Sequence, residues 1–239
     1  MCTYVNKKIT GVRFPFVAGQ PGPYYATMSE RAIQDQKGWR GSREVWLQAA
    51  REALLENGLA AVKVQPLAAR LNLSRTSFYW FFKDRDAILA ALLEDWETTN
   101  TGALIAGCEA YAETVAEAVL NLISVFVDET RFEPRFEMAI RGWAHESDAV
   151  AERVAQADAR RLDAIRALFE RFGFAPDEAD VRARTIYLVQ IGYISMQTRE
   201  TLAERMARIP AYIKTFSSQP ATEAELARFH ARHGFTPAD

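Results

Sequence analysis

Residues 67–89 read Leu-Ala-Ala-Arg-Leu-Asn-Leu-Ser-Arg-Thr-Ser-Phe-Tyr-Trp-Phe-Phe-Lys-Asp-Arg-Asp-Ala-Ile-Leu. Leu67, Ala68 and Leu71 stand at spacing i, i+1, i+4 and give a short helix one apolar edge. Asn72 ends it, because Asn tolerates the left-handed conformation that a helix C-terminus takes. Ser74 follows as an N-cap whose hydroxyl can accept from a backbone N–H two or three residues on. Two short helices separated by about three residues meet at a steep angle, the geometry of a helix-turn-helix.

The second of these helices is expected over Arg75 to Phe82, with Phe78 and Phe82 on its inner face. Arg75, Thr76, Tyr79 and Trp80 share the opposite face, and Ser77 lies between. A cation, a small hydroxyl and two large aromatics on one exposed face suit a DNA groove. Arginine can fork onto guanine O6 and N7, the Thr methyl can meet a thymine methyl, and a Tyr hydroxyl can reach a phosphate. Lys83 and Arg85 flank Asp84, the expected N-cap of a following helix, and free N–H groups beside two cations make a phosphate clamp. Lys63, just before the first of the short helices, is a further candidate contact. The expected DNA-binding set is therefore Lys63, Arg75, Thr76, Ser77, Tyr79, Trp80, Lys83 and Arg85.

The pattern Leu67-Ala68, Asn72-Leu73-Ser74, Phe78-Tyr79, Phe82 and Asp84-Arg85-Asp86-Ala87-Ile88-Leu89 resembles the TetR family of bacterial transcriptional regulators. An amphipathic helix upstream extends the likeness to about residues 42–95. The resemblance implies a homodimer with an N-terminal DNA-binding domain and a larger helical domain that binds a small effector. Thr76 stands where the family usually has Gly, Phe81 where His or Tyr is common, and Lys63 where a capping Thr is common, so no operator sequence carries over.

The remaining pattern is all-α. Ser42 opens a helix that runs to Asn57-Gly58, with Val45, Trp46, Ala49, Ala53 and Leu54 on one face. A second helix is expected over Val64 to Leu71, and a fourth leaves Asp84 through Ile88, Leu92 and Trp96. Later helices are expected over Tyr111 to Asp128, Glu133 to His145, Asp148 (as N-cap) to Phe172 and onward from Pro176. A last pair is expected over Glu200 to Phe216, interrupted at Pro210, and Thr222 to His233. The domains expected are a flexible basic arm at 1–40, the helix-turn-helix at 41–86, and a ligand-binding and dimerisation body at 87–239. The arm carries Pro15, Gly19, Pro21, Gly22 and Pro23; its alternatives are contact with the minor groove, an idle tail, or a start at Met28.

The formal charge of −2 hides an asymmetry. Residues 1–29 carry +3, residues 30–86 another +3, and the remainder −8, so positive charge gathers where phosphate would be met. No apolar run approaches a membrane span, and two cysteines form no disulfide framework; a cytoplasmic protein is expected. His145-Glu146 lacks a second metal-binding His, His230 and His233 fall in an expected mobile tail, and no phosphate loop or nucleophile elbow is present. Neither an enzyme, a cofactor nor a metal is expected.

In the body, Tyr111, Phe126, Phe136, Arg141, Trp143, Tyr187, Gln190 and Tyr193 are candidate ligand contacts, with Met138, Glu137 and His145 beside them. Tyr187, Gln190 and Tyr193 can equally serve a dimer interface built on the helix from Pro176 to Thr198. The expected partners are double-stranded operator DNA, a small effector and a second copy of the chain, with no membrane. The alternative is a DNA-binding dimer without an effector, acting through a protein partner or by organising DNA.

Overall fold

The computed structural model describes residues 41–237, which contain helices and turns and no strand; the arm at 1–40 lies outside the described residues. The starts of the first four helices follow their sequence signals closely. Helix α1 (Arg43–Asn57) starts at Ser42, whose side chain accepts from Val45 N, and stops at Gly58, where φ is 75°. A 3₁₀ turn (Leu59–Ala61) leads to α2 (Val64–Arg70). Asn72 takes φ 51°, the left-handed corner that the turn requires. Ser74 caps α3 and Asp84 caps α4 (Arg85–Trp96), each through its side chain.

Helix α3 is shorter than its pattern suggests. It is α-helical only over Arg75–Phe78. Beyond it Phe81 and Phe82 both direct their N–H groups to the Phe78 carbonyl at 3.0 Å, so the chain coils as tight turns. Phe78 still reaches the core, packing edge-on against Trp46 at 5.3 Å and stacking on Phe82 at 5.6 Å.

The helix that leaves Asp84 does not stop at Trp96. It continues through a π-helical segment (Glu97–Thr101) into α5 (Gly102–Glu109). Such π turns mark a local misfit in the ladder and recur at functional positions. Gly107 lets α5 press against the next helix, because a Cβ there would stand 2.6 Å from Val125 Cγ2. The body adds α6 (Val115–Val127), α7 (Pro134–Ala144), α8 (Asp148–Arg171), α9 (Pro176–Ser195), α10 (Leu202–Ser217) and α11 (Glu223–Arg232). Helix α6 begins at Thr114 rather than Tyr111, and the N-cap position before α8 is Ser147 rather than Asp148. Pro210 sits inside α10 without interrupting it. The C-terminal segment is packed rather than loose: Phe229 is buried against the body, and His233 Nε2 lies 2.6 Å from Ser124 Oγ.

Two apolar clusters result. One belongs to the body and joins α5, α6, α8, α9, α10 and α11. The other begins with Trp46, Leu67, Phe78 and Phe82 and runs on through α4 to Phe136 and Ile140 of α7 and Val150 and Val154 of α8. The reading head therefore shares its core with the first helices of the body.

A buried polar knot lies where the π segment crosses α7, α8 and α9. Glu137 has no solvent exposure, and its Oε2 accepts from Trp96 Nε1 at 2.7 Å and from Asn100 Nδ2 at 3.0 Å. Arg161, equally buried, forks onto both oxygens at 2.7 and 3.1 Å and donates to Thr101 Oγ1 at 2.9 Å. Arg141 links Glu137 at 2.9 Å to Asp158 at 3.0 Å, and Tyr187 donates to Asp158 at 2.6 Å. Burial opposes the charge on Glu137, but Arg161, Arg141 and Asn100 together outweigh it and hold its pKa below the usual carboxylate value. Its stabilising contribution is thus present above the unfolded pKa and lost as pH falls through the lower folded value. Because removing one member strands the opposite charge in the interior, Arg161→Leu should cost about 3 to 5 kcal/mol of folding free energy. Urea unfolding of the variant checks this, and a loss below about 1 kcal/mol would show the knot to be dispensable.

Candidate nucleic-acid interface and cavity

Tyr79 and Trp80 stand out from the head with 58% and 64% of their surfaces exposed, among the largest apolar side chains so displayed. Both follow directly from the turn after α3. Phe78 and Phe82 are pulled inward, and the two residues between them that the inner face does not use must point away. Tyr79 packs edge-on against Phe78 at 5.4 Å, so its ring is braced from beneath. Arg75 and Thr76 are exposed on α3 itself, and Lys63, before α2, and Lys83, after the turn, are exposed as well. Arg43, from the start of α1, lies 5.3 Å from the Phe82 ring centroid and is exposed as well; no motif at that position drew attention to it.

Two of the expected contacts turn inward. Ser77 is buried, with its hydroxyl donated to the Ser74 carbonyl at 2.6 Å, because it shares the inner face with Phe78. Arg85 reaches back under the head and donates to Val62 O at 2.6 Å and Leu59 O at 3.1 Å. Leu59 O already accepts from Val62 N at 3.2 Å within the 3₁₀ turn, whereas Val62 O lies just past its end, so the guanidinium serves chiefly as a cap for Val62 O. Of the two cations that flank Asp84, Lys83 is the exposed one.

The candidate ligand residues disperse. Tyr111 lies in the loop before α6 and is 83% exposed. Arg141 and Tyr187 belong to the buried knot with Glu137. Phe136 is enclosed in the head's cluster beneath Arg51, 4.3 Å from its ring centroid. Trp143 packs half-buried against that cluster, and His145 is the exposed C-cap of α7.

Phe126, Gln190 and Tyr193 do converge, with Met138, on a cavity of about 660 Å³. Its remaining walls are Phe132, Pro134, Arg135 and Ala139 around α7, Ile194, Gln197 and Thr198 at the end of α9, Arg205 of α10, and Glu129. Leu54, Leu55 and Gly58 of α1 close one side. Sequence reading missed these last three because they carry the signature of an ordinary helix end. It missed Arg205 because one arginine on an amphipathic helix reads as a solvated face. A volume of this size, lined by both apolar and polar residues, is that of a small-molecule site.

Comparison with known proteins agrees with this geometry. Residues 47–92 match the family model described as bacterial regulatory proteins, tetR family. The crystal structure of AmtR from Mycobacterium smegmatis is similar, with 20% identity, 85% of this chain and 99% of that one covered, and a TM-score of 0.57. SmeT, the repressor of the Stenotrophomonas maltophilia multidrug efflux pump SmeDEF, shows 18% identity over 77% of this chain and 93% of its own, with a TM-score of 0.55. Salmonella enterica GusR shows 14% identity, 80% and 95% coverage, and a TM-score of 0.52. At these identities the likeness is one of fold. No curated protein sequence matches the chain.

The facing of the head can be tested with two aromatic truncations. Tyr79→Ala should cost about 1 kcal/mol of stability or less, the worth of its edge contact, while Phe82→Ala should cost about 3 to 5 kcal/mol through the cavity it leaves. Melting curves that coincide for the two variants would reverse the assignment.

A second pair separates the cations. Lys83→Ala should weaken binding to any DNA and lower the slope of log affinity against log salt by about one unit. Arg85→Ala should leave that slope unchanged and lower stability by about 1 to 3 kcal/mol, because Val62 O loses its donor.

Proposed function

From a chain that carries the DNA-binding domain of the tetR family at residues 47–92, we propose a regulator that binds an inverted-repeat operator as a homodimer and is released by a small effector held in the body. DNA-binding transcriptional regulation is the activity of that family, whose members are regulators rather than enzymes and generally repressors. The observation that carries the reading is the outward presentation of Tyr79 and Trp80 in the turn that follows a short helix with Arg75 and Thr76 exposed on it, held from beneath by Phe78 and Phe82, with Lys63 and Lys83 also exposed. Such a surface supplies groups for base edges and for phosphates on one protruding element. The site of action is the cytoplasm, where the operator lies; no helix among the described residues is long and apolar enough to cross a membrane.

The dimer reading rests on α9. Val181 and Leu188, two turns apart on one face, expose 63% and 61% of their surfaces, and Met196 beyond them is exposed as well. Leucine and valine on an accessible helix face suit an isologous contact with a second copy. Two heads so joined would enter successive major grooves about 34 to 36 Å apart.

The effector reading rests on the cavity. Its walls include Leu54 and Leu55 of α1 as well as helices of the body, so a bound molecule touches the reading head directly. Any difference in how the two head orientations contact that molecule becomes a coupling free energy, and about 1 to 3 kcal/mol changes occupancy 5- to 150-fold. A filled cavity that left operator affinity unchanged would favour the alternative of a dimer without an effector.

Selection of binding sites from a random DNA pool, followed by sedimentation of the complex, tests the proposal. An inverted repeat bound by two protomers is expected, and Leu188→Glu should give a monomer with operator affinity reduced at least about tenfold. A monomer with full affinity for an asymmetric site would overturn it.

A further inference from the structure

The cavity lining is of two kinds. Leu54, Leu55, Phe126, Met138 and Ile194 are apolar. Among its polar residues, Arg205 of α10 is half-buried, and its side chain makes no hydrogen bond or ion pair with any other described residue. The groups around it are already engaged or stand off. Glu200 is held by Arg208, and the Tyr193 hydroxyl lies 2.7 Å from that of Tyr212. Glu129 is exposed and acts on Arg205 only beyond ion-pair distance. Burial lowers the pKa of Arg205, opposed by these distant groups, and a guanidinium stays charged nonetheless. Arg135, at the rim, spends one nitrogen on Leu55 O at 3.3 Å. The Gln190 side chain lines the cavity as well and makes no hydrogen bond with another described residue.

A guanidinium removed from water without a partner is unfavourable, and its planar fork of donors matches a carboxylate. The apolar part of the lining asks for hydrocarbon. Resting on the reading of this cavity as the effector site, we propose that its ligand is an amphipathic carboxylic acid, with its carboxylate on Arg205 and its apolar body against Leu54, Leu55 and Met138. A ligand so oriented sets its hydrocarbon end against α1, the helix that carries the reading head, while its charge is held by the body. An alcohol of the same length would leave the guanidinium unpaired, and an amine would add a like charge.

Three probes of one chain length test the assignment by calorimetry on the full chain: decanoate, 1-decanol and decylammonium. Decanoate is expected to bind most tightly. Arg205→Gln should weaken decanoate at least about tenfold while leaving 1-decanol within about threefold, and Arg205→Lys should recover most of the loss. Unchanged melting of the two variants shows that the fold is kept. If 1-decanol or decylammonium binds as well as decanoate, or if Arg205→Gln is without effect, the carboxylate assignment is overturned and the cavity remains an effector site of other specificity. If none of the three binds, the assignment and the reading of the cavity fall together.

Discussion

The ion pair between Glu137 and Arg161 is the constraint on which the rest of the structure turns. Both side chains are fully buried, and together they engage Trp96, Asn100 and Thr101 on one side and Arg141, Tyr187 and Asp158 on the other. The helix descending from the reading head is thereby tied to α7, α8 and α9 at the point where its own ladder widens into a π turn. A buried charge pair is seldom a source of net stability, since desolvation consumes most of its attraction. What it does impose is register. Each member has hydrogen-bond partners fixed in direction, so sliding the head's helix by one residue would leave several of them unsatisfied in an apolar interior.

That tie explains why the cavity and the DNA-reading surface belong to one mechanical unit. Helix α1 is held to α4 by the ion pair between Arg51 and Asp95, and to the start of α7 by Arg51 and Glu133. The same α1 gives Leu54 and Leu55 to the cavity wall and Trp46 to the core under Phe78. A molecule between α1 and the body presses on a helix two contacts away from Tyr79. No long relay through the body is needed.

Much of the head was legible in the sequence because its signals are local. A capping serine, an Asn that accepts positive φ, and two phenylalanines four residues apart each fix a small piece of backbone independently of the rest of the chain. Arg85 and Ser77 were misjudged for the opposite reason. Their partners, Leu59 and Val62 for one and the Ser74 carbonyl for the other, are set by how the turn folds back, which a face-by-face reading of one helix does not contain. The cavity was the least legible part. Its walls come from four separated stretches, and helical spacing cannot distinguish Phe126, which lines it, from Phe136, which is sealed in the head's core. Arg141 and Tyr187 looked like polar anchors and proved to be spent on Glu137 and Asp158, a pairing that depends on α7, α8 and α9 meeting.

The central claim is that the surface around Tyr79 reads DNA from a major groove. Hydroxyl-radical footprinting of the purified protein on the DNA flanking its own gene tests it most directly. The account predicts two protected segments of similar sequence in opposite orientation, their centres about 10 base pairs or a small multiple apart. Uniform protection without boundaries, or no protection at concentrations that already retard unrelated DNA, would contradict it.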